Sequence, residues 1–406
     1  MPVPGVLPVL LGGDANVYGM ARSFWEAFGV RSVAVCRRAL PALAATRLLQ
    51  TVVCRPDLGC DAVFVRTLAA VARAFPARAR LLVPCADDYA LQLARCQSAL
   101  AAHYRFACPP PALVGRLGQK PGFAAACAAQ GLRTPQTVLL GPGAPLPTAL
   151  PFGWPAVVKP ADQAAYAPCR FAGRRKVYLA RDRAQLGAIA AAAAQGGYRG
   201  GWLVQEYIPG PDTALGVVNI YCAQDGTAAW AVQAQVLVQE RTPEGTGNYA
   251  ALLVEPARQD AALLAALRAL LQQSGWRGFA NFDLKYAPGG EPVLFEMNPR
   301  PGRSSYACTA AGANLALPLA ADLLDGCPPA APALRPAVWY TAPWGVVRRF
   351  CPGRAALQRA AVLRRRGRGR RHLLADGEGP ARRVWFLLRQ AGYWRKVGAQ
   401  WRAGAL

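Results

Sequence analysis

A chain of 406 residues with 53% hydrophobic residues is long enough for two or three domains with cores of their own, and its net charge of +25 raises the question of an anionic partner. No run of eighteen uncharged apolar residues reads as a membrane span, and the opening MPVPGVLPVLLGG lacks the basic segment of a secretory signal, so the expected location is the cytoplasm. Twelve cysteines without a C-x-x-C pair indicate neither a zinc knuckle nor a disulfide framework, and with His103 and His372 as the only histidines no Ser-His or Cys-His nucleophile is credible.

Residues 6–12 form an apolar run ending in Gly12-Gly13, and an amphipathic segment follows from Val17 to Phe28. Strand, glycine turn, helix is the opening of a doubly wound unit. Further strands are expected at Ser32 to Cys36, Thr51 to Val53 and Arg80 to Pro84, with helices near Ala62 to Phe75 and Tyr89 to Ala101. The first 115 residues thus read as a four- or five-stranded α/β domain. Gly12-Gly13-Asp14 could cradle a phosphate but lacks the dinucleotide fingerprint. Asp87-Asp88 follows a strand end, where either a ligand site or a helix N-cap is at home.

Residues 112–131 read as one helix carrying Lys120, and Pro135 to Leu140 as a strand. The next strand, Trp154 to Ala161, holds Lys159 near its end, and a buried ammonium there implies an anion. The chain has five lysines (Lys120, Lys159, Lys176, Lys285 and Lys396) against forty-two arginines, as a GC-rich coding bias would produce. Lysines that persist against such a bias mark places where a compact ammonium is needed. From Asp162 to Lys176 the chain is polar and interrupted, a loop with Arg174 and Lys176 available to an anion, and a helix follows from Arg183 to Gln195. A strand from Trp202 ends in Gln205-Glu206-Tyr207-Ile208-Pro-Gly; alternating strands follow at 215–222 and 228–238, then a glycine-bearing loop around Gly245 and Gly247 and a helix from Asp260 to Ser274.

The densest polar pattern comes next. In Gly278 to Tyr286, Asn281, Asp283 and Lys285 share one face, and in Pro292 to Asn298 the apolar set Val293, Phe295 and Met297 opposes Glu296 and Asn298. A two-residue turn at Gly289-Gly290 would place residue 288 opposite 291, Asp283 opposite Glu296 and Asn281 opposite Asn298. Directly opposed carboxylates repel and call for a cation between them; with the Asn298 carbonyl they form a hard oxygen set suited to Mg²⁺ shared with phosphates. Arg300 and Arg303 follow within one loop, where guanidinium forks can clamp phosphate or carboxylate. A helix is expected from Ala310 to Leu324, then a Pro-Ala linker from Pro328 to Pro336. From Gly345 to Arg402 sixteen Lys or Arg residues face only Asp376 and Glu378, and an aromatic amphipathic helix begins near Arg382. Such a segment suits an anionic membrane surface, nucleic acid or a small capping subdomain.

Asp283 followed by Glu296-Met-Asn298-Pro-Arg300 resembles the metal-binding end of the ATP-grasp ligases. The run FANFDLKY…LFEMNPRPGRSSYACTAAGANLA is similar to the branch containing D-aspartate ligases and other carboxylate-amine ligases, and the resemblance extends over residues 6–395. It implies an α/β (α+β) chain with a doubly wound pre-ATP-grasp domain over 1–115, an ATP-grasp domain over 116–330 hinged near 205–210, and a small basic C-terminal region over 331–406. It also implies ATP and Mg²⁺, with Mn²⁺ as an alternative ion held by Asp283, Glu296 and Asn298. Lys120 and Lys159 would meet phosphates beneath a loop carrying Lys176; Gln205, Glu206, Tyr207 and Ile208 would hold the purine and Asp212 the ribose. Arg300, Lys159 and Arg303 would form the catalytic clamp, with Ser304 beside Arg303 at the carboxylate and Arg241 and Asn248 near the second substrate. The implied partners are an amino-acid carboxylate such as D-aspartate and an amine acceptor such as the lysine of a peptidoglycan precursor. Alternatives are another amino acid or peptide, or an inactive fold in a basic protein that binds nucleic acid or the inner face of a membrane. No specific nucleic acid is expected, and oligomeric state is left open.

Overall fold

The computed structural model describes residues 5–240 and 247–402, with side chains at all of these except 164 and 399–402. Strands β1 (Val6–Leu11), β2 (Ser32–Cys36), β3 (Leu49–Cys54) and β4 (Ala79–Pro84) form a parallel sheet in the order β3-β2-β1-β4. The continuous apolar run of β1 follows from burial on both faces. Leu10 packs with Phe24 of the Ala15–Phe28 helix, whereas Val9 and Leu11 pack with Phe64 and Leu68 on the other side. Between β1 and that helix, a Cβ at Gly13 would lie 2.1 Å from the Arg38 carbonyl oxygen, so the turn requires glycine. Asp14 caps the helix by accepting from the Asn16 amide at 3.0 Å.

Strands β5 (Thr137–Leu140), β6 (Ala156–Pro160), β7 (Tyr178–Ala180) and β8 (Trp202–Glu206) make an antiparallel sheet in the order β5-β8-β6-β7. Alternation sends Ala156 and Val158 of β6 and Val204 of β8 into a core with Leu186 and Ala193, from the predicted helix at Arg183–Gln195. Lys159 and Gln205 therefore share the opposite face. The third sheet contains β9 (Leu215–Cys222), β10 (Trp230–Gln239), β11 (Tyr249–Val254), β12 (Gly278–Tyr286), β13 (Pro292–Asn298), β14 (Ala337–Tyr340) and β15 (Gly369–Arg371), in the order β13-β12-β9-β10-β11-β14-β15.

Three expectations about helices are corrected. The helix expected from Ala310 to Leu324 is two, Tyr306–Ala310 and Ala316–Leu323, separated by residues 311–315. The single helix expected over 112–131 is two helices, Pro111–Gly118 and Lys120–Ala128, broken at an extended Gln119 (φ −99°, ψ 139°). Pro121 has no N–H for the Leu117 carbonyl, so the first helix cannot run on. The loop expected over 162–176 contains a short helix, Gln163–Tyr166, whose Tyr166 stacks edge-on against Tyr198 and Trp202.

The basic C-terminal segment is not appended to the fold but woven into it. β14 pairs with β11, and β15 lies parallel to β14. Arg22, buried in the first helix, donates from Nη1 to the carbonyls of Arg371 (2.6 Å), Leu374 (3.1 Å) and His372 (3.4 Å), and from Nε to Glu26. Arg382 enters the same layer between the rings of Tyr18 and Trp385 and donates to the Ala44 and Leu373 carbonyls.

Replacing Arg22 by Met keeps much of its aliphatic bulk but strips three carbonyls of their donor. We expect a loss of about 2–4 kcal/mol, read as a lower urea midpoint at unchanged m-value. A change below about 0.5 kcal/mol would mean that these carbonyls find water and that the contact does not hold the segment in place.

Candidate active site

The site is built on the β12–β13 hairpin. Asp283 faces Glu296 and Asn281 faces Asn298, as expected, but by a different route. The Ala287 amide bonds to the Glu291 carbonyl and the Gly290 amide to the Ala287 carbonyl, making a three-residue turn with Gly290 at φ +86° in place of the expected Gly289-Gly290 pair. That shifts the register by one up to Leu284↔Leu294, and a bulge between Asp283 and Leu284 restores it. The bulge also breaks the expected Val293, Phe295, Met297 alternation: Val293, Leu294 and Met297 are buried while Phe295 is only half-buried.

Asp283 accepts from the Tyr249 hydroxyl at 2.7 Å and the Asn298 amide at 3.3 Å. Its pKa is nevertheless raised, first by burial and then by the facing Glu296, with Tyr249 and Arg300 opposing. The Asn298 side-chain carbonyl accepts from Arg300, which also donates to the Pro301 carbonyl at 3.3 Å and to Asp87 at 3.0 Å, in the first turn of the Asp87–Leu100 helix. Across from the carboxylates stand two lysines. Lys159, 3.4 Å from Gln205 Oε1, is pushed down to about 8 by burial and then by Lys120, with Glu296 opposing and the exposed Lys176 adding to the repulsion. Lys120 lies at the N-terminus of the Lys120–Ala128 helix, and its buried Nζ has no hydrogen-bond partner among the described residues. Its pKa too is lowered by burial. Two acids that repel and two ammoniums that repel form a set that a metal-bound polyphosphate would complete. The donor set, two carboxylates and one amide, fits Mg²⁺ held jointly with substrate oxygens.

The structure brings Asp283, Glu296, Asn298, Arg300, Lys120 and Lys159 together. Among the hinge residues, Glu206 is held by Arg133 and the Gln136 amide, and Gln205 donates to Thr137. Asp212 accepts from the backbone and side chain of Gln239 at 3.1 and 2.9 Å. Arg174 packs over the Tyr166 ring. Arg241 lies outside the described residues; Asn248 precedes β11, its carbonyl accepting from the Glu240 amide.

Three features were not read from the sequence. Lys285 donates to the carbonyls of Ile208 (2.9 Å) and Gly210 (2.6 Å), tying the hinge to the strand of Asp283; its rarity among arginines was the available signal. Gly302 leaves a Cβ position only 2.7 Å from the Asn281 side chain, so the loop after Asn298 lies flat on the hairpin. Beyond it, half-buried Arg303 lines a cavity of about 400 Å³ with Asp14, Leu373, Trp385 and Arg389, which joins the start of the first helix to the C-terminal helix Pro380–Arg402. No local spacing links residues 14, 303 and 389.

Sheets, hairpin and paired carboxylates define an ADP-forming ATP-grasp enzyme, a carboxylate-amine ligase. No family model matches the chain. The D-aspartate ligase of Enterococcus faecium (strain Aus0004) is 34% identical over 323 residues, 76% of this chain and 75% of that protein, and the chain belongs to its family. A D-alanine–D-alanine ligase of Anaeromyxobacter sp. (strain Fw109-5) is 28% identical over 186 residues, 44% of this chain and 55% of that one. Among solved structures, an ADP complex of N5-carboxyaminoimidazole ribonucleotide synthetase superposes with TM-score 0.60 at 14% identity, covering 82% of this chain and 81% of its own. The L-amino acid ligase of Bacillus licheniformis gives 0.55 at 14% identity over 79% and 75%. At such identities both bear on the fold alone.

Neutralising one acid should remove the metal while leaving the sheet intact: Glu296→Gln is expected to lower Mg²⁺-dependent ADP release about a hundredfold or more with unchanged circular dichroism. Normal turnover would remove Glu296 from the metal set. Lys159 supplies a pH signature. Its ammonium titrates near 8 in the free protein against an ordinary 10.5, and nearby phosphate favours the charged form, so nucleotide binding should take up protons between these values and weaken as pH rises through them. Calorimetry in buffers of differing ionisation enthalpy at about pH 8.5 should show the uptake, and Lys159→Met should reduce it. Equal uptake in the variant would assign the proton elsewhere.

Proposed function

We propose that the enzyme activates a carboxylate of a small acidic amino acid, D-aspartate or a close analogue, as an acyl phosphate and transfers the acyl group to a primary amine. The observation that carries the substrate class is the cavity one loop beyond the metal-binding hairpin, where Arg303 and Arg389 stand with the Asp14 carboxylate. Guanidinium forks match carboxylates, and a lone acid at the same cavity suits an α-ammonium. The similarity to a D-aspartate ligase supports the same class. The amine we assign, on family resemblance, is the lysine side chain of a peptidoglycan precursor.

In this scheme Gln205 to Ile208 hold the purine, with hinge carbonyls fixed by Lys285, and Asp212 meets the ribose. Lys120, Lys159 and Arg300 hold phosphate oxygens, and Lys176 approaches from its loop. Asp283, Glu296 and Asn298 would hold Mg²⁺, or Mn²⁺ in its place, which would supply positive charge against the negative charge that builds up on transfer. Arg303, with Ser304 beside it, orients the carboxylate. A carboxylate oxygen bonds to the γ-phosphorus as its bond to the bridging oxygen breaks and ADP leaves. The amine nitrogen then bonds to the acyl carbon, inorganic phosphate departs with the C–O electron pair, and the amine's extra proton passes to solvent. Catalysis is positioning and charge stabilisation, with no protein nucleophile.

With ATP, Mg²⁺ and the amino acid but no amine, hydroxylamine should capture a hydroxamate, with ADP and phosphate as co-products. Release of AMP and pyrophosphate would overturn the acyl-phosphate route. Arg389→Met should raise KM for D-aspartate by about 10- to 100-fold with the KM for ATP unchanged, the worth of one charge-assisted pair. Equal use of D-alanine and D-aspartate by the unaltered enzyme would overturn the acidic substrate class.

A further inference from the structure

The helix Pro380–Arg402 has apolar residues on two opposite sides. One side, Phe386, Tyr393 and Val397, is buried against the body of the protein. The other carries Val384, Leu387, Leu388 and Trp394, which are 56%, 66%, 69% and 45% exposed. Their spacing, i, i+3, i+4 and i+10, with Ala391 between, aligns them on one arc of the helix surface. A single exposed leucine needs no explanation, but an aligned stripe on a helix whose core-facing side is already filled does.

What flanks the stripe identifies its partner. Exposed Arg383, Arg395 and Lys396 lie on the same helix. Toward the start of the helix Leu387 walls a cleft with Arg364, Arg370, Arg371 and Arg383, with Asp376 as its acid. Toward its end Trp394 walls a second cleft with Arg348 and Arg349. An apolar stripe between arginine clefts, with an indole near its end, matches a bilayer surface: aliphatic side chains enter the acyl boundary while guanidiniums meet anionic headgroups. Nucleic acid would use the arginines but gain nothing from exposed valine and leucine. No helix among the described residues is long and apolar enough to cross a membrane, so such attachment would be in the plane of the surface.

We infer that the exposed face of this helix is a peripheral docking surface for anionic lipid bilayers. The full-length protein should co-sediment with vesicles containing about one-third phosphatidylglycerol at about 0.1 M salt, bind neutral phosphatidylcholine vesicles far more weakly, and show a blue-shifted tryptophan emission when bound. Val384→Glu/Leu387→Glu should weaken vesicle binding about tenfold or more while leaving ligase turnover in solution unchanged, since neither residue touches the site. Should that variant fail to fold, Arg370→Gln/Arg371→Gln should weaken binding and reduce its salt dependence. The inference is overturned by absence of binding to anionic vesicles, by binding indifferent to both double variants, by preference for duplex DNA or RNA over vesicles, or by a dimer that Val384→Glu/Leu387→Glu dissociates. None of these outcomes bears on the ligase reading, which hydroxamate capture tests in solution.

Discussion

Two carboxylates held against their mutual repulsion are the constraint on which the rest of the site depends. Asp283 and Glu296 are directly paired on adjacent strands, where like charges destabilise. The sheet cannot let them part, because β12 is bonded on its other edge to β9 from Gly278 to Lys285. Burial makes the charged form of Asp283 costlier still. Its pKa is raised in the fold, so the pair favours folding below the ordinary carboxylate range and opposes it as pH rises. Near neutral pH the repulsion is relieved either by a proton on Asp283 or by a cation between the two carboxylates.

The lysines mirror this in opposite sign. Burial lowers both Lys159 and Lys120, Lys120 lowers Lys159 further, and Glu296 only partly compensates. The two frustrated pairs do not neutralise each other by contact: the buried Lys120 ammonium bonds to nothing among the described residues. A polyphosphate offers oxygens to the ammoniums and shares a divalent cation with the carboxylates, answering both. Such preorganisation is what a phosphoryl-transfer site requires, since charges already in place need no reorganisation as the reaction proceeds.

Legibility from the sequence varied with the range of the cause. The pairing of Asp283 with Glu296 was readable, although the reasoning contained two offsets that cancelled: a turn longer by one residue, then a bulge restoring what the turn had displaced. Either offset alone would have changed the residue that faces Asp283, and the pairing survives only because the bulge undoes the turn. Lys159 was legible as a cation at the end of an apolar strand. The break at Gln119 was missed because apolar periodicity carried across Pro121, whose missing amide outweighs the pattern. The cavity of Asp14, Arg303 and Arg389 could not have been read at all, since its members belong to the first helix, the loop beyond the hairpin and the last helix.

The basic C-terminal segment shows why net charge alone is a poor guide to partners. Arg382 stands in the same arginine run as Arg383, yet it is wholly buried, stacked between two rings and bonded to backbone carbonyls, while Arg383 is exposed beside Leu387. Arg389 does something else again, donating to Thr341 and lining the cavity it shares with Asp14 and Arg303. Guanidinium serves all three because it is planar, rich in donors and weakly hydrated, able to satisfy several carbonyls in a dry place or to remain at a wet surface. A count of arginines adds these roles together as though they were one. Sorting them by burial leaves a smaller set of exposed cations, and it is this set, gathered around the exposed side of the last helix, that can act on a partner outside the molecule.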